Sequence, residues 1–92
     1  MNVPAWGGRR LTNALARVRQ HWRGLPCGIC GQPIDYDDTT TDHRLSIDHI
    51  IARSVRPDLT WDETNWQPTH RSCNVRRQAN TLEHQGVTSR AW

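Results

Sequence analysis

The chain has no phenylalanine, no lysine and a single methionine, and only three cysteines stand among its 92 residues. With 35% hydrophobic residues and no Phe, a core of this size yields marginal stability, so one domain held by a structural metal is expected. No apolar run approaches the roughly 20 residues needed to cross a bilayer, which excludes a membrane-spanning helix. The start, Met1-Asn2-Val3-Pro4-Ala5-Trp6-Gly7-Gly8, lacks the apolar stretch of a secretory signal, and the thiols are therefore expected in a reducing cytoplasm. That setting and the odd cysteine count both disfavour a disulfide framework and favour metal ligation.

Lysine's absence makes all 12 basic side chains arginine, against 9 carboxylates, for a formal charge of +3. Arginine grips phosphate bidentately and stacks on bases, which suits a nucleic-acid partner, although a GC-rich coding sequence yields the same bias. The charge sum is weak evidence, and the motifs carry more.

Two short ligand pairs stand far apart, Cys27-Gly28-Ile29-Cys30 and His70-Arg71-Ser72-Cys73, and together they make a Cys3His set for one tetrahedral zinc ion. A thioredoxin-like redox pair is the competing reading of Cys27 and Cys30, but no βαβ pattern surrounds them and a second ligand pair exists. Between and beside the pairs lie Asp48-His49, Asn65 and Asn74. A neutral imidazole can take a proton from water near pH 7, and a carboxylate with an amide oxygen suits a hard cation such as Mg2+. Such groups have the chemistry for metal-assisted phosphodiester hydrolysis.

Along the chain, residues 1–8 read as a flexible arm whose Trp6 either docks on the body or meets a partner. Residues 9–22 show an amphipathic helix with Leu11, Leu15, Val18 and Trp22 on one face, ended by Gly24 and Pro26. An acidic stretch, residues 35–42, reads as a solvated loop lacking the spacing of a calcium loop. Residues 45–49 alternate as a strand and 50–63 form a long loop. Residues 65–67 form a short strand closed by Pro68, and a helix follows over 69–79 with Thr69 as N-cap. Residues 80–92 read as an extension of that helix or a tail. Asp48 and His49 would point to opposite faces of a regular strand, so the strand is expected to end or twist there.

In this order the residues from 27 to 79 resemble the HNH endonuclease family, and within it the small phage-type members with a zinc-knuckle ββα-metal fold. The resemblance implies an α+β fold, a zinc-stapled ββα-metal core behind an N-terminal amphipathic helix. It implies a metal-dependent DNA endonuclease that nicks or cuts both strands. His49 is then the general base, Asn65 holds it in place, and Asp48 and Asn74 ligate Mg2+, Mn2+ or another divalent ion. Structural Zn2+ would sit on Cys27, Cys30, His70 and Cys73. His70 stands where the family usually has its third cysteine, and Asn74 makes this an HNN variant. Arg53, Arg56, Arg71, Arg76 and Arg77 are the expected DNA contacts, with little sequence preference. Likeness to phage members further implies a bacteriophage origin and a terminase partner in genome packaging. A zinc-ribbon module that binds DNA or protein without cutting is the rival reading, and a pure binder needs none of Asp48, His49 and Asn74.

Overall fold

Small and branched apolar residues at helical spacing build the first element, α1 (Gly8–His21). The computed structural model describes residues 3–88, with side chains through Ala79, so residues 1–2 of the expected arm and 89–92 of the expected tail lie outside the described residues. Ala14 and Val18 of α1 are buried, and Leu11, Leu15 and Trp22 pack at the margin of the same core. The Trp22 amide caps the helix on the Val18 carbonyl, and Gly24 at φ 98° then reverses the chain toward the first cysteine pair.

The alternation seen at Leu45-Ser46-Ile47 produces β1 (Leu45–His49), with Leu45 and Ile47 buried. It pairs antiparallel with β2 (Trp66–His70) in the register Leu45↔His70, Ser46↔Thr69, Ile47↔Pro68, Asp48↔Gln67 and His49↔Trp66. Pro68 was expected to close β2, yet the strand runs two residues beyond it. In a two-stranded sheet each strand is an edge, so a proline can sit where no ladder amide is required. Its carbonyl accepts the Gly28 amide at 2.8 Å, which ties the cysteine knuckle to the sheet.

Thr69, expected as a helix cap, is 0% exposed inside β2, and its hydroxyl donates to the Ser46 carbonyl at 3.0 Å. The second helix, α2 (Arg71–Thr88), therefore starts two residues later than anticipated and packs across both strands. The long connection between the strands contains two short 3-10 turns, Pro57–Leu59 and Glu63–Asn65, the latter capped by the Asp62 side chain on the Thr64 amide. In the acidic loop the Asp38 carboxylate accepts from the Thr41 hydroxyl and from the Thr40 and Thr41 amides. These bonds, the hydroxyl first, hold it down to about 2, a turn-building role. The described residues make a small α+β fold of two helices on a two-stranded sheet, and none of their helices is long and apolar enough to cross a membrane.

Candidate active site and metal centre

Cys27 and Cys30 arrive on a knuckle closed by two backbone bonds, Gly31 amide to Cys27 carbonyl and Cys27 amide to Gln32 carbonyl, each 2.9 Å. Gly31 takes φ 78°, a left-handed conformation that a side chain would strain. His70 ends β2 and Cys73 lies in the first turn of α2, so the strand-to-helix junction presents the other two ligands. All four donor atoms lie within 4.8 Å of one another. His70 Nδ1 is 3.4 Å from Cys30 Sγ and 3.8 Å from Cys73 Sγ. A tetrahedral zinc with Zn–S of about 2.3 Å and Zn–N of about 2.05 Å separates such donors by about 3.6 Å. The donor set and its spacing fit that ion.

The outer shell agrees. His70 Nε2 lies 2.9 Å from the Pro33 carbonyl, which can only accept, so Nε2 carries the proton and Nδ1 keeps its lone pair for metal. Burial pushes the Cys27 thiol up, but amides of Cys30, His70 and Ile29 outweigh it and bring it down to about 6. Burial, reinforced by the neighbouring Cys30 and Cys27 sulfurs, pushes Cys73 up to about 11. Three sulfurs this close repel one another as thiolates, and a divalent cation removes the conflict.

His49 ends β1 opposite Trp66. Its Nε2 lies 2.9 Å from the Thr60 carbonyl, and the Trp66 indole N–H donates to the same oxygen at 3.0 Å. The carbonyl assigns the proton to Nε2, so the neutral ring carries its lone pair on Nδ1. Burial lowers the His49 pKa below its ordinary value; the Thr60 bond opposes this, Arg53 assists it and Asp48 opposes it.

Asn65 is buried at the end of the second 3-10 turn. Its side chain makes a reciprocal pair with the backbone of Ile51, accepting from the amide at 2.9 Å and donating to the carbonyl at 3.0 Å. Its own carbonyl accepts the Ile50 amide at 2.8 Å. The chain just after His49 is thus fastened at three points.

Asp48 is only 4% exposed. Gln67, its partner across the ladder, donates Nε2 to Asp48 Oδ2 at 2.8 Å, and Arg77 of α2 forms an ion pair with the same oxygen. Arg77 also donates to the Ile50 carbonyl at 3.3 Å. The Asn74 amide nitrogen donates to Ser46 Oγ at 3.0 Å and to the Ile47 carbonyl at 3.1 Å, and its Oδ1 accepts from Gln78 Nε2 at 3.3 Å, so Oδ1 is the atom of this side chain that could ligate a cation. A buried carboxylate and an oriented amide oxygen on adjoining elements are the hard donors that Mg2+ or Mn2+ takes. The ladder continues through His49, so Asp48 and His49 keep separate partners: Asp48 meets Gln67 and Arg77, while His49 meets Thr60 and the tryptophans. β1 ends at His49, where the strand was expected to end or twist, and the two side chains are held from different sides of the chain, Asp48 by β2 and α2 and His49 by the loop.

The expected DNA-contacting arginines divide by environment. Arg71 and Arg76 are exposed on α2, and Arg56 is exposed in an ion pair with Asp58. Arg53 donates to the Pro4 carbonyl at 3.4 Å, and Arg77 is turned inward onto Asp48. Sequence reasoning missed Gln67 and Thr60. Gln67 was findable once the register was known, because it faces Asp48 directly. Thr60 acts through its backbone, which residue type does not reveal.

No curated protein and no solved structure matches the chain. Among protein families, one model matches residues 27–80, more than half of the chain, and its description is HNH endonuclease.

Proposed function

Because the chain belongs to the HNH endonuclease family, we propose that it is a metal-dependent DNA endonuclease that hydrolyses phosphodiester bonds by nicking or by double-strand cleavage. The observation that carries the reading is the fixation of His49. Its Nε2–H rests on the Thr60 carbonyl and the following loop is pinned by Asn65, an arrangement that keeps the Nδ1 lone pair for a proton, while its chain neighbour Asp48 is a buried carboxylate.

In this reading Nδ1 of His49 takes a proton from the attacking water, and the Thr60 carbonyl stabilises the imidazolium through Nε2–H. Asn65 orients the segment after His49 and does not react. Asp48 and Asn74 would hold Mg2+, Mn2+ or another divalent ion, which supplies positive charge to the phosphate and the leaving 3′ oxygen. Gln67 and Arg77 hold the Asp48 carboxylate through Oδ2. Zn2+ on Cys27, Cys30, His70 and Cys73 joins the knuckle to the start of α2, so its binding contributes to folding. Arg53, Arg56, Arg71 and Arg76 are the proposed phosphate contacts, while Arg77 is occupied by Asp48 and the Ile50 carbonyl. Action on phage DNA beside a terminase rests on the resemblance to phage members, and a cytoplasmic setting on the N-terminal sequence.

The test is incubation of zinc-loaded protein with supercoiled plasmid and Mg2+, beside a His49→Ala protein shown to keep its zinc. Nicking by the wild type and none by the variant is expected. Equal nicking by both removes His49 from the chemistry, and silence of both with Mg2+ and Mn2+ favours the binding module.

A further inference from the structure

Trp6 lies outside the segment that matches the family, yet its indole contacts the centre of the site. The Trp6 and His49 rings meet edge to face, with centroids 4.3 Å apart at 72°. Trp6 also lies 4.5 Å from Trp61 and 5.4 Å from Trp66, so His49 sits at the edge of a cluster of three indoles. The chain before Trp6 is tied down on its backbone. Trp61 Nε1–H donates to the Ala5 carbonyl at 3.2 Å, and Arg53 donates to the Pro4 carbonyl at 3.4 Å. Trp61 is itself covered by the Arg10 guanidinium, 4.1 Å from the ring centre, which links α1 to the same cluster.

An imidazole with one hydrogen bond can still rotate about Cβ–Cγ, and a half turn would carry Nε2 off its acceptor and Nδ1 off the attacking water. A packed ring beside it closes that rotation. We infer that Trp6 is a positioning residue for His49, its indole holding the imidazole in the one orientation that keeps Nε2–H on the Thr60 carbonyl and Nδ1 toward the substrate. This rests on the reading of His49 as the base. The aromatic residue comes from an N-terminal segment that the family match does not include, so this chain supplies part of its site from outside residues 27–80.

The experiment compares wild type, Trp6→Ala, Trp6→Phe and His49→Ala, all zinc-loaded, in steady-state plasmid nicking with Mg2+. It also records the 15N shifts of the His49 ring by NMR. Trp6→Ala is expected to lower kcat about tenfold or more with KM for DNA nearly unchanged, since small misplacements of a reacting group cost this much. Trp6→Phe should recover most of the loss, and the His49 signals should change from one Nε2–H tautomer to a mixture in Trp6→Ala. A kcat within about twofold of wild type with an unchanged tautomer overturns the inference. So does a rise in KM alone, which would mark Trp6 as a DNA contact. If Trp6→Ala does not fold, the wild-type NOE between the Trp6 and His49 rings decides, and its absence overturns the proposal. Full nicking by His49→Ala overturns the base reading instead. If no protein nicks, the base reading fails and the tautomer comparison still decides the role of Trp6.

Discussion

His49 and Trp66, paired across the ends of β1 and β2, both direct a ring nitrogen at the carbonyl oxygen of Thr60, at 2.9 and 3.0 Å. A carbonyl accepts two hydrogen bonds and donates none, so this shared contact sets the tautomer of His49 as well as its direction. The loop that supplies Thr60 lies between the two strands in sequence, and the indole that shares it comes from the second strand. The loop carbonyl is therefore required before His49 has a defined lone pair, and Trp66 binds that same oxygen from β2.

The pH dependence follows from that environment. Burial, the largest influence, lowers the His49 pKa; the Thr60 bond and Asp48 act in the opposite direction and Arg53 in the same one. Only the neutral ring accepts a proton, so nicking should rise along an acid limb centred below the ordinary value of about 6.5 and level off by neutrality. Because the folded protein holds this proton less tightly than the unfolded chain, its contribution to stability is complete above about pH 6.5. It is lost as pH falls through the folded pKa. A kcat/KM profile with its limb centred above neutrality contradicts the assignment.

Gly28→Ala probes the contact between knuckle and sheet. A Cβ at Gly28 would lie 2.3 Å from Gln67 Oε1 and 2.7 Å from Cδ, so the Gln67 amide must move. The end of that side chain is flexible, and the cost in stability should be about 1 kcal/mol or less. The amide that moves is the donor to Asp48 Oδ2. Divalent-ion affinity and nicking should therefore fall together while zinc content stays at wild type; unchanged Mn2+ affinity by titration calorimetry would show that Gln67 does not hold Asp48.

Asn74→Ala should abolish most Mg2+-dependent nicking and leave zinc bound. It also removes the donor to the Ile47 carbonyl and to Ser46 Oγ at a position only 7% exposed, at a cost of about 1–3 kcal/mol. Metal analysis, thermal melting and nicking on one preparation separate the two effects. Full activity would remove Asn74 from the ligand set.

His70→Ala should release zinc and broaden or abolish the thermal transition, since an ion on these four residues would join the knuckle to the strand-to-helix junction. His70→Cys should keep the metal, because thiolate and imidazole both suit tetrahedral zinc. One tightly held zinc and an unshifted melt in His70→Ala would place the fourth ligand elsewhere.

Arg77→Gln should destabilise the fold by about 2 kcal/mol, because it strips a guanidinium from a carboxylate that is almost fully buried. Arg76→Gln, one residue away and exposed, should leave melting within about 0.5 kcal/mol and act only through DNA affinity and its salt dependence. Denaturant unfolding of the pair distinguishes them, and equal stabilities would discount the Asp48 ion pair.

Much of the site was legible before any fold was known. The spacing of Cys27, Cys30, His70 and Cys73 announces one tetrahedral ion, and the structure brings the four donors together. The alternation at residues 45–49 announces β1 and the periodicity near residues 9–22 announces α1, because both patterns arise from local geometry. The end of β2 was not legible. Pro68 reads as a stop, and Thr69 reads as a cap, until pairing with Ile47 and Ser46 overrides both local preferences.

By itself the sequence determined the ligand types, their order, the Asp48-His49 pair and the two asparagines, since residue chemistry and short spacings are local properties. Only the tertiary structure decided which nitrogen of His49 is free to act and which groups hold Asp48. It alone decided that Trp6 lies against the imidazole. Those outcomes depend on strand register, a loop carbonyl and contacts between distant segments, and no single residue type encodes them.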